Sequence, residues 1–107
     1  MLNDEKLEDQ AMLIISNAGA ARSSAYEALS EAKKNNFDKA FEKIEQANKY
    51  ITDAHAAHSG LLKMDAKGEV AAVDLLLTHA QDHVMTSQVA VELVSEMIPM
   101  LKEIREK

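Results

Sequence analysis

The amino-acid sequence predicts an all-α fold, an antiparallel three-helix bundle, and three observations support this prediction. Its 107 residues include three glycines and one proline, so few positions interrupt long helices. Three segments repeat apolar residues at intervals of three and four, the period of a helix with a buried face. Apolar residues make up 47% of the chain but include only two Phe and two Tyr. Such aliphatic cores are typical of helix packing.

Two breaks separate the three predicted helices. The first has two asparagines that suit a helix end, followed by Phe37 and by Asp38, which suits an N-cap. The second contains Gly68. The predicted helices cover residues 4–34, 38–64 and 70–105.

Charge and composition exclude several classes of function. The formal net charge of -6 argues against nucleic-acid partners, which require clustered Lys and Arg. The absence of cysteine excludes disulfides and thiol chemistry. The first ten residues are charged and no run of about 18 apolar residues occurs, so neither a signal peptide nor membrane insertion is expected. We therefore expect a cytoplasmic protein. We also expect one domain over residues 1–107, because composition does not change along the chain.

The first two helices each have one apolar seam that faces a core. The first seam is Leu7, Ala11, Ile14, Ala18, Ala21, Ala25 and Leu29. The second is Phe37, Ala40, Ile44, Ala47, Ile51, Ala54, His58 and Leu61. His58 is interpreted as a core histidine. Gly19 costs about 1 kcal/mol relative to alanine inside a helix, which indicates a tight helix crossing.

The third helix differs because it has two apolar stripes on nearly opposite sides. The first stripe is Val73, Leu77, Ala80, Val84, Val91, Val94, Ile98 and Leu101. The second is Leu75, Ala90, Leu93, Met97, Met100 and Ile104. A three-helix bundle buries only one of them. We therefore predict that the second stripe packs against copies of itself in a homo-oligomer.

Polar residues interrupt the second stripe at helical spacing: His79, Asp82 and Thr86. A buried carboxylate requires a partner, a proton or a cation, and Asp82 falls under this rule if the stripe is buried. His83 lies one turn after His79, so one ligand can reach both. Three interpretations are open: a hydrogen-bonded interface histidine, a metal site of His79, Asp82 and His83, or phosphoryl transfer by a neutral imidazole.

The segment His79-Ala80-Gln81-Asp82-His83-Val84-Met85-Thr86-Ser87 resembles a known phosphorylation motif. It is the motif of the IIA components of the bacterial sugar phosphotransferase system, in the lactose/cellobiose/N,N'-diacetylchitobiose family. Further matches are Asn17-Ala18-Gly19, Ala21-Arg22-Ser23, Glu45 to Ala47 and Asp53-Ala54-His55. The resemblance covers about residues 9–105. Two departures are His58, where the family has Gln, and Asp74, where it has a small or uncharged residue.

This resemblance implies a homotrimer of three-helix subunits in which His79 is phosphorylated. The phosphoryl group comes from the general histidine phosphocarrier protein and passes to a cysteine of the IIB component, while the membrane IIC component is involved only indirectly. Asp82 matches the position where three carboxylates share one magnesium ion per trimer, a role that suits a hard divalent cation. His83 and Gln81 are expected to support His79 by binding phosphoryl oxygens or orienting its ring.

The sequence also leads to an expectation about the sugar and leaves two alternative functions open. Ala80 and Ser87 resemble the cellobiose/chitobiose branch more than the lactose branch, which favours a β-linked disaccharide of that type. One alternative is the histidine phosphotransfer module of a two-component system, although Gln81 and Asp82 stand where such modules have Lys and Gly. The other is a non-catalytic helical interaction protein that uses the second stripe.

Overall fold

The computed structural model describes residues 4–70 and 75–107, which form three helices. They are α1 (Asp4–Lys33), α2 (Phe37–Ala66) and α3 (Leu75–Glu106). The predicted three-helix fold is confirmed. The predicted start of the third helix at residue 70 is wrong, because Val70 is not helical. The stripe residue Val73 and the departure at Asp74 lie outside the described residues.

A residue with left-handed backbone follows the end of both α1 and α2. Asn35 has φ 69° and Gly68 has φ 74°, and Asn and Gly are the residues that tolerate this conformation best. After each turn, an amide N–H donates to the carbonyl five residues earlier. These bonds are Asn36 N–H to Glu31 O and Glu69 N–H to Met64 O, both 2.9 Å. Because the turn comes at Gly68, α2 continues past the predicted end and the chain leaves the helix there.

The start of α2 corrects a second prediction. The N-cap is Asn36 and not Asp38, which lies inside the first helical turn. The Asn36 side chain makes no capping bond, because its Nδ2 donates to Glu31 Oε2 at 3.0 Å instead. Asp38 still contributes, since a carboxylate in the first turn interacts favourably with the helix dipole.

The core contains the predicted seams of α1 and α2. Every predicted seam residue of α2 after Phe37 is buried, and Phe37 itself packs against the core. On α1 the seam is also buried, except that Leu29 is half-buried. Fully buried alanines dominate the α1 contribution: Ala11, Ala18, Ala21, Ala25, Ala28 and Ala32. Such small side chains allow the helix axes to approach closely.

Contacts near the helix ends define the topology. Arg105 Nη1 and Nη2, at the end of α3, donate to Ala32 O at 3.1 Å and Lys33 O at 3.0 Å, at the end of α1. The two helices therefore run parallel. Gln10 Nε2, near the start of α1, donates to Ala57 O, late in α2. Consequently α2 runs antiparallel to the other two.

The two stripes of α3 differ in burial in the single chain. The first is buried at Leu77, Ala80, Val84, Val91, Val94 and Ile98. The second is exposed: Leu75 by 85%, Leu93 by 59%, Met97 by 40%, Met100 by 58% and Ile104 by 64%. An apolar face of this length on an isolated chain marks a surface that binds another molecule. We call these five residues the outer face of α3.

The apolar composition of α3 raises the question of whether this helix could span a membrane. By length and composition alone α3 could cross one, with an 18-residue window of mean hydropathy 1.2 that is 28% buried. Core helices of soluble proteins pass the same test, so one such helix is weak evidence for insertion. The absence of membrane insertion stays a prediction.

Candidate functional site

His79 and His83 form a stacked pair on the N-terminal half of α3. Their ring centroids lie 5.6 Å apart and their planes differ by 13°. The spacing of four residues places both side chains on one side of the helix, one turn apart. His79 is exposed and His83 is half-buried. The structure therefore gives His79 a reachable imidazole with a second imidazole stacked against it.

Gly19 of α1 lies next to this pair. A Cβ atom added at Gly19 would be 3.5 Å from His83 Nε2. The predicted tight crossing is thus a close approach of the α1 backbone to a ring of the candidate site. A glycine inside a helix could indicate such an approach from sequence. Its neighbour could not be identified that way, because the contact joins two helices far apart in the chain.

Asp82 and Thr86 also lie where the helical spacing predicts, on the exposed side of α3. Thr86 Oγ1 donates to Asp82 O at 3.0 Å and to His83 O at 3.3 Å, so its hydroxyl is satisfied within the helix. The Asp82 carboxylate makes no ion pair within residues 4–70 and 75–107. It is exposed in the single chain, so hydration compensates its charge there.

The structure does not support the interpretation of His79, Asp82 and His83 as a metal site within one chain. In the part of the chain that the structure describes, no group of three His, Cys, Asp or Glu side chains is arranged to hold a metal ion. The two imidazole planes are stacked and nearly parallel, whereas ligands of one tetrahedral ion must direct their nitrogen atoms toward a common point.

Gln81 lies on the side of α3 that faces the end of α2. It lines a cavity of about 70 Å³ together with His58 and Asp65. His58 is 9% exposed, as expected for a core histidine. Burial, with a smaller contribution from the neighbouring His55, lowers the pKa of His58 below 6.5. Gln81 lies about 200° around α3 from His79, so the structure does not bring these two side chains together.

The lowered pKa of His58 predicts a pH dependence of folding. The unfolded chain binds a proton on this imidazole as pH falls through 6.5, whereas the folded chain does so only at lower pH. The free energy of unfolding should therefore decrease as pH falls from about 7.5 to about 5.5, and level off below the folded pKa. Thermal melts should show a smaller decrease for His58→Gln. An identical decrease in both proteins would contradict the assignment.

Comparisons with known proteins test the family resemblance of this chain. The family model "PTS system, Lactose/Cellobiose specific IIA subunit" matches residues 9–102. A lactose-specific EIIA component of Staphylococcus epidermidis is 38% identical over 95% of this chain and 98% of its own. An N,N'-diacetylchitobiose-specific EIIA component of Escherichia coli is 40% identical over 94% of this chain and 87% of its own.

A solved structure extends the similarity to the whole fold. It is the solution structure of the IIA(Chitobiose)–HPr complex of the Escherichia coli phosphotransferase system. Its similar chain has a TM-score of 0.79 and 38% identity, over 92% of this chain and 96% of that chain. The resemblance to this family predicted from the sequence is confirmed. This chain belongs to the lactose/cellobiose-specific IIA family of the sugar phosphotransferase system.

Proposed function

We propose that this protein is a phosphocarrier whose His79 accepts a phosphoryl group from HPr, the general histidine phosphocarrier protein, and passes it to a cysteine of the IIB component. The observation that supports this most is an exposed imidazole at the first position of the family motif. The solved relative from Escherichia coli was studied in complex with HPr, which supports the same donor here.

The residues around His79 suit this chemistry. A neutral imidazole has an unshared electron pair on one ring nitrogen, which attacks phosphorus as the donor's P–N bond breaks. His83 is stacked on His79 and restricts the rotation of its ring. Gln81 is exposed, but it lies two residues from His79, about 200° around α3, and lines the cavity beside His58. His83 is thus the supporting residue on the same side of α3 as His79.

Incubation with phosphoenolpyruvate, enzyme I and HPr tests this proposal. One phosphoryl group per chain should appear in intact-mass spectra, and it should be lost in acid, because phosphohistidine is acid-labile. Peptide mapping should place it on His79. A reaction without enzyme I is the control. A chain that stays unmodified in the complete mixture, while HPr itself is phosphorylated, would contradict the proposal.

The outer face of α3 supports a homotrimer as the working assembly. Burying this face between copies removes apolar side chains from water, which favours association. In a trimer around α3, the three Asp82 carboxylates would lie close together and repel each other. Three carboxylates suit a hard divalent cation with oxygen ligands, so we propose one Mg²⁺ ion per trimer held by Asp82. The ion would neutralise the carboxylates and leave the transfer to His79.

Substitution of Asp82 separates the metal from the assembly. Chelator should lower the melting temperature of the wild-type trimer but not that of Asp82→Ala, which has no ligand to lose. Asp82→Leu should melt above the chelated wild type, because it removes the repulsion and adds apolar surface. Asp53→Leu, at an exposed position of α2, is the matched control. Chelator sensitivity that persists in Asp82→Ala would contradict the proposed site.

The remaining expectations complete the proposal. Residues 1–107 act as one cytoplasmic domain and contact the membrane IIC component only through IIB. Ala80 and Ser87 favour a β-linked disaccharide of the cellobiose/chitobiose type. Family membership argues against a two-component phosphotransfer module.

A further inference from the structure

Gly19 occupies a position where the backbone does not require glycine. It lies well inside α1, and Gly68 is the glycine with positive φ among the described residues. A glycine inside a helix costs about 0.5–1 kcal/mol relative to alanine. Neither turn geometry nor helix propensity explains this residue. The space beside its backbone is what limits the side chain that this position can carry.

That space is occupied by the ring of His83. The position of a Cβ atom at Gly19 is 3.5 Å from His83 Nε2, an ordinary van der Waals contact. Alanine would therefore just fit. A side chain with a further carbon atom would extend into the volume that the imidazole occupies. The His83 ring is also stacked on His79, at 5.6 Å between centroids. The ring of His83 is thus a neighbour of both the α1 backbone at Gly19 and the His79 imidazole.

We propose that Gly19 is a positioning residue for phosphoryl transfer: the bare α1 backbone leaves room for the His83 ring, and this ring holds the His79 imidazole in its reactive direction. The inference rests on the proposed function of His79. Gly19 touches neither His79 nor the phosphoryl group and acts only through His83. A side chain longer than that of alanine at position 19 therefore slows transfer.

Paired glycine substitutions test this role. Gly60, inside α2, is the matched control, because a Cβ there meets nothing within 4 Å. Gly19→Ala and Gly60→Ala should both raise the melting temperature by a few degrees, because alanine favours helix, and both should keep wild-type transfer. Gly19→Leu should slow phosphorylation of His79 by HPr about tenfold to a hundredfold, the cost of a misplaced reacting group. Gly60→Leu should transfer at the wild-type rate.

Two measurements show whether the effect passes through His83. The imidazole NMR signals of His79 and His83 should shift in Gly19→Leu and stay unchanged in Gly60→Leu. In a His83→Ala background, Gly19→Leu should cause no further loss of rate, the non-additivity of residues that act together. Additive losses would overturn the proposal. So would a loss of trimer in sedimentation that accounts for the slower transfer.

The outcomes also distinguish this inference from the proposed function. If wild-type protein takes up one phosphoryl group on His79 but Gly19→Leu transfers as fast as Gly60→Leu, only the role of Gly19 fails. If the wild type is not phosphorylated at His79, the proposed function fails first.

Discussion

Replacing His79 by glutamine is expected to lower phosphoryl acceptance at least about 10³-fold, because the amide has no nucleophilic ring nitrogen. Glutamine is similar in size and polarity, and His79 is exposed, so the melting temperature should stay within about two degrees of the wild type. Intact-mass spectra over a time course of phosphorylation by HPr measure the effect. His55→Gln is the matched control, since His55 is also an exposed histidine within a helix, on α2.

Substitution of His83, whose ring is stacked on His79, provides a second test. His83→Gln should slow transfer without abolishing it, because in the proposed mechanism His83 orients the nucleophile and does not receive the phosphoryl group. Phosphorylation of His79→Gln on His83 would show that either imidazole of the pair can accept the group, and it would contradict the assignment of His79 as the sole acceptor.

Those features of the fold that depend on the helical period could be predicted from the sequence. The seams of α1 and α2 and the two stripes of α3 were predicted because a helix repeats its faces every 3.6 residues. The break at Gly68 was predicted, but the start of α3 was not, because apolar residues continue through the sequence between Gly68 and Leu75. Helical periodicity alone does not show at which of these apolar residues a helix begins.

The site was predictable only within one helix. His79 and His83 meet because they are four residues apart on α3. The approach of Gly19 to His83 and the cavity shared by His58 and Gln81 depend on how the helices pack, so no local spacing encodes them. The expected role of Asp82 depends on contacts between chains and stays a prediction.

Introducing a charge on the outer face of α3 is expected to convert the proposed trimer into monomers. Leu93 is 59% exposed in the single chain, so Leu93→Asp leaves the core of each subunit unchanged. In the proposed trimer the same carboxylate would be buried without a partner, which costs several kcal/mol in each subunit. At about 1.4 kcal/mol per tenfold change in affinity, three such penalties should dissociate the assembly at micromolar concentration.

Sedimentation equilibrium and native mass spectrometry measure this outcome. Leu62→Asp is the matched control, because Leu62 is 50% exposed on α2 and lies outside the outer face. This variant should remain trimeric with wild-type helicity. A trimeric Leu93→Asp protein, or a wild type that is monomeric at all concentrations, would contradict the role of the outer face.

The monomeric variant also separates assembly from chemistry. The stacked pair His79 and His83 and its contact with Gly19 all lie within one chain. A monomer should therefore keep its imidazole geometry, and the NMR signals of both rings should match the wild type. If phosphorylation by HPr slows nevertheless, the missing contribution comes from the neighbouring subunit, because the groups within the chain are unchanged. Equal rates in monomer and trimer would show that each subunit forms a complete acceptor site.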